Sequence, residues 1–241
     1  MRSNEFTPLI LDEDNHILVV VKPANLPSQA DASGDEDLLS LLKDYIRRRD
    51  NKPGNVFLGL VHRLDRPTSG LMVFAKTSKA AARLARAMQQ AAFHKEYCAV
   101  VRGGLPPTTA CDPEGWTRWE DWFVKDHAAN LVRVVPEDLP GAQHAALVWK
   151  GEGQAGDLGL IRLRLLTGRS HQIRVQAATR GFPLWGDMRY DPAHNRAGMQ
   201  LALVACELAF PHPVQDRLCR YSLPLPAGEP WRRFAADGGD G

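Results

Sequence analysis

Asp65 sits in the run Val61-His62-Arg63-Leu64-Asp65-Arg66-Pro67-Thr68-Ser69-Gly70-Leu71, a short charged connection of two arginines, one carboxylate, a proline, two hydroxyls and a glycine. Such a carboxylate has two ordinary uses. It can neutralise Arg63 or Arg66 as part of a structural loop, or it can stay ionised and act as a nucleophile or base. For the second use, burial in a pocket would raise its pKa, so a fixed cation is needed nearby. Arginine suits that task because its planar fork pairs bidentately with a carboxylate. A second chemically loaded run is Gly168-Arg169-Ser170-His171-Gln172-Ile173-Arg174. His171 and Arg174 are three apart and would share a face at the start of a helix, where anionic groups are favoured. Lys95-Glu96-Tyr97 is the third such run.

The elements that must carry these residues are legible from periodicity. Apolar runs at 56–61 and 71–75 read as buried strands on either side of the Asp65 loop. Pro8 to Leu11 and Ile17 to Val21, separated by Asp12-Glu13-Asp14-Asn15, predict a hairpin that Lys22-Pro23 ends. Ser33 with Glu36 resembles a capping box ahead of Leu38, Leu41, Leu42, Tyr45 and Ile46, which are helically spaced, with Arg47-Arg48-Arg49 at the C-terminal end. Thr77 caps a helix running through Gln90, and Lys95 to Arg102 alternates as a strand carrying Tyr97. Leu131 to Val135, Ala145 to Lys150 and Leu201 to Phe210 are further strands, and a helix is predicted from about Ser170 to Arg180, closed by Gly181. The region 103–130 is the least readable part of the chain, and an irregular loop packed on the core is one reading of it. Its tryptophans, Trp116, Trp119 and Trp122, could stack on bases, but packing against the core is favoured. Gly151-Glu152-Gly153-Gln154-Ala155-Gly156 spells a dinucleotide-binding fingerprint, yet a strand follows it instead of a helix. It is read as a flexible hairpin loop.

Bulk properties exclude several classes. No apolar run approaches the ~20 residues of a membrane span, and the first sixteen residues lack the pattern of a signal peptide. Cys98, Cys111, Cys206 and Cys219 have no metal-like spacing, which suits reduced thiols in the cytoplasm. The net charge of +2 hides a distribution. Residues 1–50 carry a local −4, whereas 76–102 and 160–190 each carry +5. Two basic stretches around the chemically loaded runs suit a polyanion.

In order, Lys22-Pro23, HRLDRPTSGL at 62–71, Lys95-Glu96-Tyr97, Gly168 to Arg174, and Gly186-Asp187 with Tyr190 resemble the blocks of the RluA-type pseudouridine synthases. The resemblance covers most of the chain. It implies an α+β fold with a central, largely antiparallel mixed sheet flanked by helices and loops around a catalytic cleft. Many members of that family carry a small basic RNA-binding domain ahead of the catalytic part; here the strand pattern starts by residue 8, and the chain is read as one catalytic domain over 1–241 with no separate N-terminal RNA-binding domain. By the resemblance Asp65 is the catalytic carboxylate, Arg174 its cation (with Arg169 as runner-up), and Tyr97 the residue that stacks on a flipped uracil. Arg63 would enter the RNA where the base left, and Arg66, Arg169 and His171 would contact RNA together with His62, although a lone histidine is more often structural and His62 is also read as shaping the loop. No cofactor and no metal are implied. RNA is the partner, with no membrane, and the chain is expected to be a cytoplasmic monomer.

The reaction would isomerise uridine to pseudouridine in structured RNA, with ribosomal RNA favoured over transfer RNA. Sequence leaves open whether Asp65 attacks the sugar or removes a ribose proton. Two other classes stay in view: a non-catalytic RNA-binding protein of the same fold, and a hydrolase using Asp65 as an acyl-phosphate nucleophile. The second would recruit Mg²⁺ through further acids, and the motif has none beside Asp65.

Overall fold

The computed structural model describes residues 6–108 and 111–234, so the first five residues, on which the reading of the N-terminus partly rests, lie outside it. The chain forms two compact units. The first comprises residues 1–95 and 205–223, the second 96–204 and 224–241.

In chain order the elements are β1 (Leu9–Glu13), β2 (Ile17–Lys22), α1 (Leu38–Arg49), β3 (Gly59–Leu60), β4 (Ser69–Ala75), α2 (Ser78–Gln89) and β5 (His94–Arg102). There follow β6 (Thr117–Asp126), β7 (Leu131–Val135), β8 (Gln143–Ala155), β9 (Leu158–Leu165), α3 (Gln172–Thr179), β10 (Leu203–Pro211) and β11 (Leu218–Ser222). Strands outnumber helices and do not alternate with them, which is the expected α+β arrangement.

In the first unit the strand order is β1-β2-β4-β10, with β3 also on β4 and β11 on β10. The β1–β2 hairpin is set by Asp14, whose Oδ1 accepts from the His16 and Ile17 amides at 2.7 and 2.8 Å. The β2–β4 ladder is antiparallel and places Lys22 opposite Gly70. One face of these strands buries Ile17, Val19, Leu71 and Val73 against Ala80 and Leu84 of α2. Thr77 caps α2 as expected, accepting from the Ala80 amide at 3.1 Å.

Three expectations change here. The cap of α1 is Asp37, which accepts from the Ser40 amide at 3.0 Å, while Ser33 bonds instead to Asp31. Asp caps as well as Ser, and Asp37 stands directly before Leu38, the first residue of the buried stripe Leu38, Leu42 and Ile46. The strand expected over 56–61 shrinks to Gly59 and Leu60, the two residues that pair with β4, while Phe57 is exposed. The tail after β10 contributes the extra strand β11.

The second unit is an antiparallel sheet of order β5-β9-β8-β6-β7, with one isolated parallel bridge between Gly104 and Leu158. The least readable region, 103–130, contains β6. Trp116 and Trp119 are buried, Trp119 packing on Trp149 at 5.2 Å between ring centroids, and Trp122 is half-buried beside His144. The fingerprint-like run is also not a loop. Gly151 to Ala155 completes β8, with a register shift between Gly151 and Gly153, and the turn falls at Gly156 with φ +61. The strand that rules out a dinucleotide fold is β9. Val175 of α3 joins Phe123, Val132 and Ala145 in a core cluster.

Candidate active site

The loop from Val61 to Thr68 joins β3 to β4 in the first unit. Its backbone is fastened at several points. Ser28 Oγ donates to the Leu64 carbonyl at 2.8 Å and accepts from the Leu64 amide at 3.1 Å. The Thr68 amide closes a turn onto the Asp65 carbonyl at 3.0 Å. Gly70 has φ +121, and a Cβ there would stand 2.4 Å from the Ala205 carbonyl oxygen, so glycine is required.

Beneath the loop lies Lys22, fully buried. Its ammonium donates to the carbonyls of Pro23, Leu26 and Arg66 at 2.9, 2.6 and 3.0 Å, using all three N–H groups. Burial lowers its pKa from 10.5 to about 7, while the nearby Asp65 charge pulls it up and Arg66 pushes it down. The residue pattern alone marks Lys22 as no more than the end of a strand. The structure adds it to the surroundings of Asp65, and the signal that could have found it is a lysine at the end of an otherwise apolar strand.

Neither arginine flanking Asp65 pairs with it. Arg66 reaches Asp35 at 2.6 Å, Asp31 at 3.3 Å and the Ser33 hydroxyl. Arg63 is exposed and makes no hydrogen bond or ion pair among the described residues. His62 needs correcting as an RNA-contacting residue. It is buried, its Nε2 accepts from the Val73 amide at 3.1 Å, and its ring meets Phe93 edge-on at 5.4 Å. Burial, with Lys95 adding to it, drives its pKa down to about 3, so the ring is neutral and holds the loop onto β4.

The remaining candidates belong to the second unit. Tyr97 lies in β5 opposite Leu163 of β9 and is buried. Arg169 is exposed and donates from Nε to the His144 carbonyl at 2.9 Å. His171 is the residue before α3, with φ +54, a backbone region that side chains other than glycine seldom adopt. Its Nδ1 lies 2.8 Å from the Tyr190 hydroxyl, which also accepts from the Val132 amide at 3.1 Å. Arg174 is buried in the first turn of α3, and its Nε and Nη2 donate to the two oxygens of Asp187 at 2.8 and 2.7 Å. Its guanidinium carbon also stands 5.2 Å from the Tyr190 ring centre. His171 and Arg174, predicted to share a helix face, are thus linked through Tyr190.

Asp187 is held in turn. Its Oδ1 accepts from the Arg189 and Tyr190 amides at 3.0 and 3.1 Å. Asn195 bridges the Gly186 amide and the Asp191 carbonyl at 2.8 and 2.6 Å. Gly186 has φ +78 and could not carry a Cβ, which would lie 2.2 Å from the Gln200 carbonyl oxygen. The Gly186-Asp187 pair is legible as a block of sequence, but its role as the seat of Arg174 is not.

Four of the six arginines in the stretch 160–190 are paired with acids. Arg162 and Arg164 pair with Glu96 at 3.3 and 2.6 Å, Arg162 also with Glu152, Arg180 with Asp121 at 2.8 Å and Arg174 with Asp187. Glu96, Glu152 and Asp121 lie outside the stretch in sequence, so a local charge count overstates what is presented to solvent. Arg169 and Arg189 are exposed and donate to backbone carbonyls, neutral acceptors that leave their charge in place.

The comparisons fit this geometry. Residues 16–179 match the RNA pseudouridylate synthase family, and the chain belongs to that family. It is 34% identical to the ribosomal large subunit pseudouridine synthase D of Nitrosomonas europaea, over 92% of this chain and 63% of that relative. It is also 34% identical to the RNA pseudouridine synthase YhcT of Bacillus subtilis, over 90% of this chain and 68% of that protein. The chain thus spans about two thirds of the length of these relatives. The fold is that of the human RNA pseudouridylate synthase domain containing 4, with a TM-score of 0.71 at 20% identity, covering 90% of this chain and 88% of that one.

Proposed function

We propose that this chain is an RNA pseudouridine synthase acting on a uridine in structured ribosomal RNA. The observation that carries the reading is the placement of Asp65, a carboxylate in a loop whose backbone is fastened by Ser28, His62 and Lys22, while the adjacent Arg66 is engaged by Asp31 and Asp35. Membership of the family and the names of the relatives support the reaction, and the name of the Nitrosomonas relative favours a ribosomal substrate.

In the reaction the bond between N1 of uracil and C1′ of ribose breaks, the base turns, and C5 joins C1′. N1 gains a proton and C5 loses one, so the product is an isomer and no co-reactant is consumed. Asp65 acts at the sugar, where carboxylates serve as nucleophiles or stabilise oxocarbenium-like charge. Arg174 is the cation that keeps Asp65 ionised. Tyr97 stacks on the flipped uracil, and Arg63 fills the gap left in the RNA. A ribosomal substrate implies a cytoplasmic protein.

The test uses purified protein with ribosomal and transfer RNA transcripts, pseudouridines being mapped by carbodiimide modification and primer extension. Parent protein should modify a ribosomal transcript, and Asp65→Asn should lose on the order of a thousandfold or more in rate while still binding it. Modification of transfer RNA alone would overturn the ribosomal choice. Unchanged activity in Asp65→Asn would remove Asp65 from the chemistry.

A further inference from the structure

Many surface cations of the first unit have carboxylate partners. Arg47 pairs with Asp44, Arg49 with Glu13 and Asp50, Lys52 with Asp50, Arg66 with Asp31 and Asp35, Lys76 with Glu13, and Arg220 with Glu207. Helix α2 breaks that habit. Its twelve residues, SKAAARLARAMQ, contain no acid. Lys79, Arg83 and Arg86 are all exposed, and none has a carboxylate partner among the described residues. They lie four and three residues apart and so form one stripe, with steps of about 6 and 4.5 Å along the helix axis.

Helix stability does not explain the stripe. Arg86 in the last turn suits the helix dipole, but Lys79 stands in the first turn, where the positive end of the dipole disfavours a cation. Core packing does not explain it either, since α2 faces the core with Ala80, Leu84 and Ala87. Arg83 is ordered in advance: its Nη1 donates to the Pro213 carbonyl at 2.6 Å, a neutral acceptor that leaves the positive charge in place. The exposed residues between the bases are Ala82 and Ala85, short enough for a bulky anionic chain to lie against the helix.

We propose that the solvent face of α2 is a phosphate-tracking surface for the RNA substrate, with Lys79, Arg83 and Arg86 contacting successive phosphates. The proposal rests on the RNA reading above and goes beyond it by naming where the backbone is gripped. Contacts of this kind position the RNA without reading its sequence. Their signature is salt dependence, because each neutralised phosphate releases counterions.

The test measures binding of a fluorescein-labelled RNA hairpin with uridines in its loop, by anisotropy, over a series of KCl concentrations. It uses the parent chain and the double variant Lys79→Gln/Arg86→Gln, and both changes are at exposed positions. The slope of log affinity against log salt should become shallower by about 1.4–1.8 in the double variant, at roughly 0.7–0.9 per phosphate lost. Hairpins of different sequence should be affected alike. Arg118→Gln, an exposed arginine paired with Glu120 in the second unit, should leave the slope unchanged. The proposal is overturned if the double variant keeps the parent slope, or if Arg118→Gln lowers it as much. A parent that binds neither the hairpin nor total ribosomal RNA overturns the RNA reading itself, so the two failures are distinct.

Discussion

Lys22, bonded to the Asp65 loop in the first unit, and Arg174, a candidate residue of the second, are both buried cations, and they are stabilised by opposite means. The Lys22 ammonium rests on three neutral carbonyls, and its pKa falls to about 7. The Arg174 guanidinium rests on the fully buried carboxylate of Asp187, itself fixed by two backbone amides. A carbonyl cage satisfies donors but does not offset the loss of hydration of the charge, so a group that can release its proton has reason to do so. A carboxylate partner offsets the charge directly, and arginine keeps its proton at any ordinary pH. The first unit therefore contains a cation whose charge depends on pH, and the second one whose charge does not.

The largest effect expected from breaking this contrast is at Asp187. Asp187→Ala leaves a buried guanidinium without its carboxylate, and removal of one member of a buried pair costs about 3–5 kcal/mol. Urea unfolding should show that loss. The double variant Arg174→Met/Asp187→Leu, which removes both charges, should be less destabilised than Asp187→Ala alone. If the double variant is the worse of the two, the pair is not a charge-compensated unit and the comparison with Lys22 fails.

A smaller effect sharpens the other side. Lys22 has a folded pKa of about 7 against an ordinary value of 10.5, so between these values the unfolded chain binds more protons than the folded one. Stability from this group therefore rises with pH across that window, and its cost is fully present below pH 7. Lys95, also lowered by burial, acts in the same direction but is common to parent and variant. Against Lys22→Met, the parent should gain stability with a slope approaching about 1.4 kcal/mol per pH unit between roughly pH 7 and 10. Urea midpoints at three pH values in that range measure it. Parallel curves for the two proteins would mean that Lys22 stays charged on its carbonyls throughout.

Much of the fold and part of the site are legible in the sequence, and the division follows physical lines. Periodicity locates β2, β4, α2, β5 and β10, because their apolar spacing is a local record of which face is buried. The Asp65 loop stands out because its charges are adjacent in sequence. What cannot be read are partnerships made across the chain. The acids that neutralise Arg162, Arg164 and Arg180 are Glu96, Glu152 and Asp121, so counting charge within 160–190 overstates the positive surface that the fold presents. Asp37 wins the cap of α1 over Ser33 because caps compete by position, and two good candidates four residues apart look alike in sequence. Trp116, Trp119 and Trp122 conceal β6, since tryptophan spacing alone does not separate a strand from a packed loop.

The smallest effect concerns Arg63 and Arg66, which differ by three positions and by their surroundings. Arg66 is tied to Asp31, Asp35 and Ser33, whereas Arg63 makes no such bond among the described residues. All of these groups are near the surface, so neither Arg63→Gln nor Arg66→Gln should measurably move the thermal midpoint. RNA binding should separate them. A cation already facing two carboxylates gains little from a phosphate, because the new contact must first displace the old ones. Arg63→Gln should therefore make the salt dependence of RNA affinity shallower by roughly one phosphate equivalent, about 0.7–0.9 in slope. Arg66→Gln should leave it as in the parent. Equal changes in the two variants would show that the acidic segment 31–35 releases Arg66 when RNA arrives. That result would restore Arg66 as an RNA contact and make the acidic segment its resting partner.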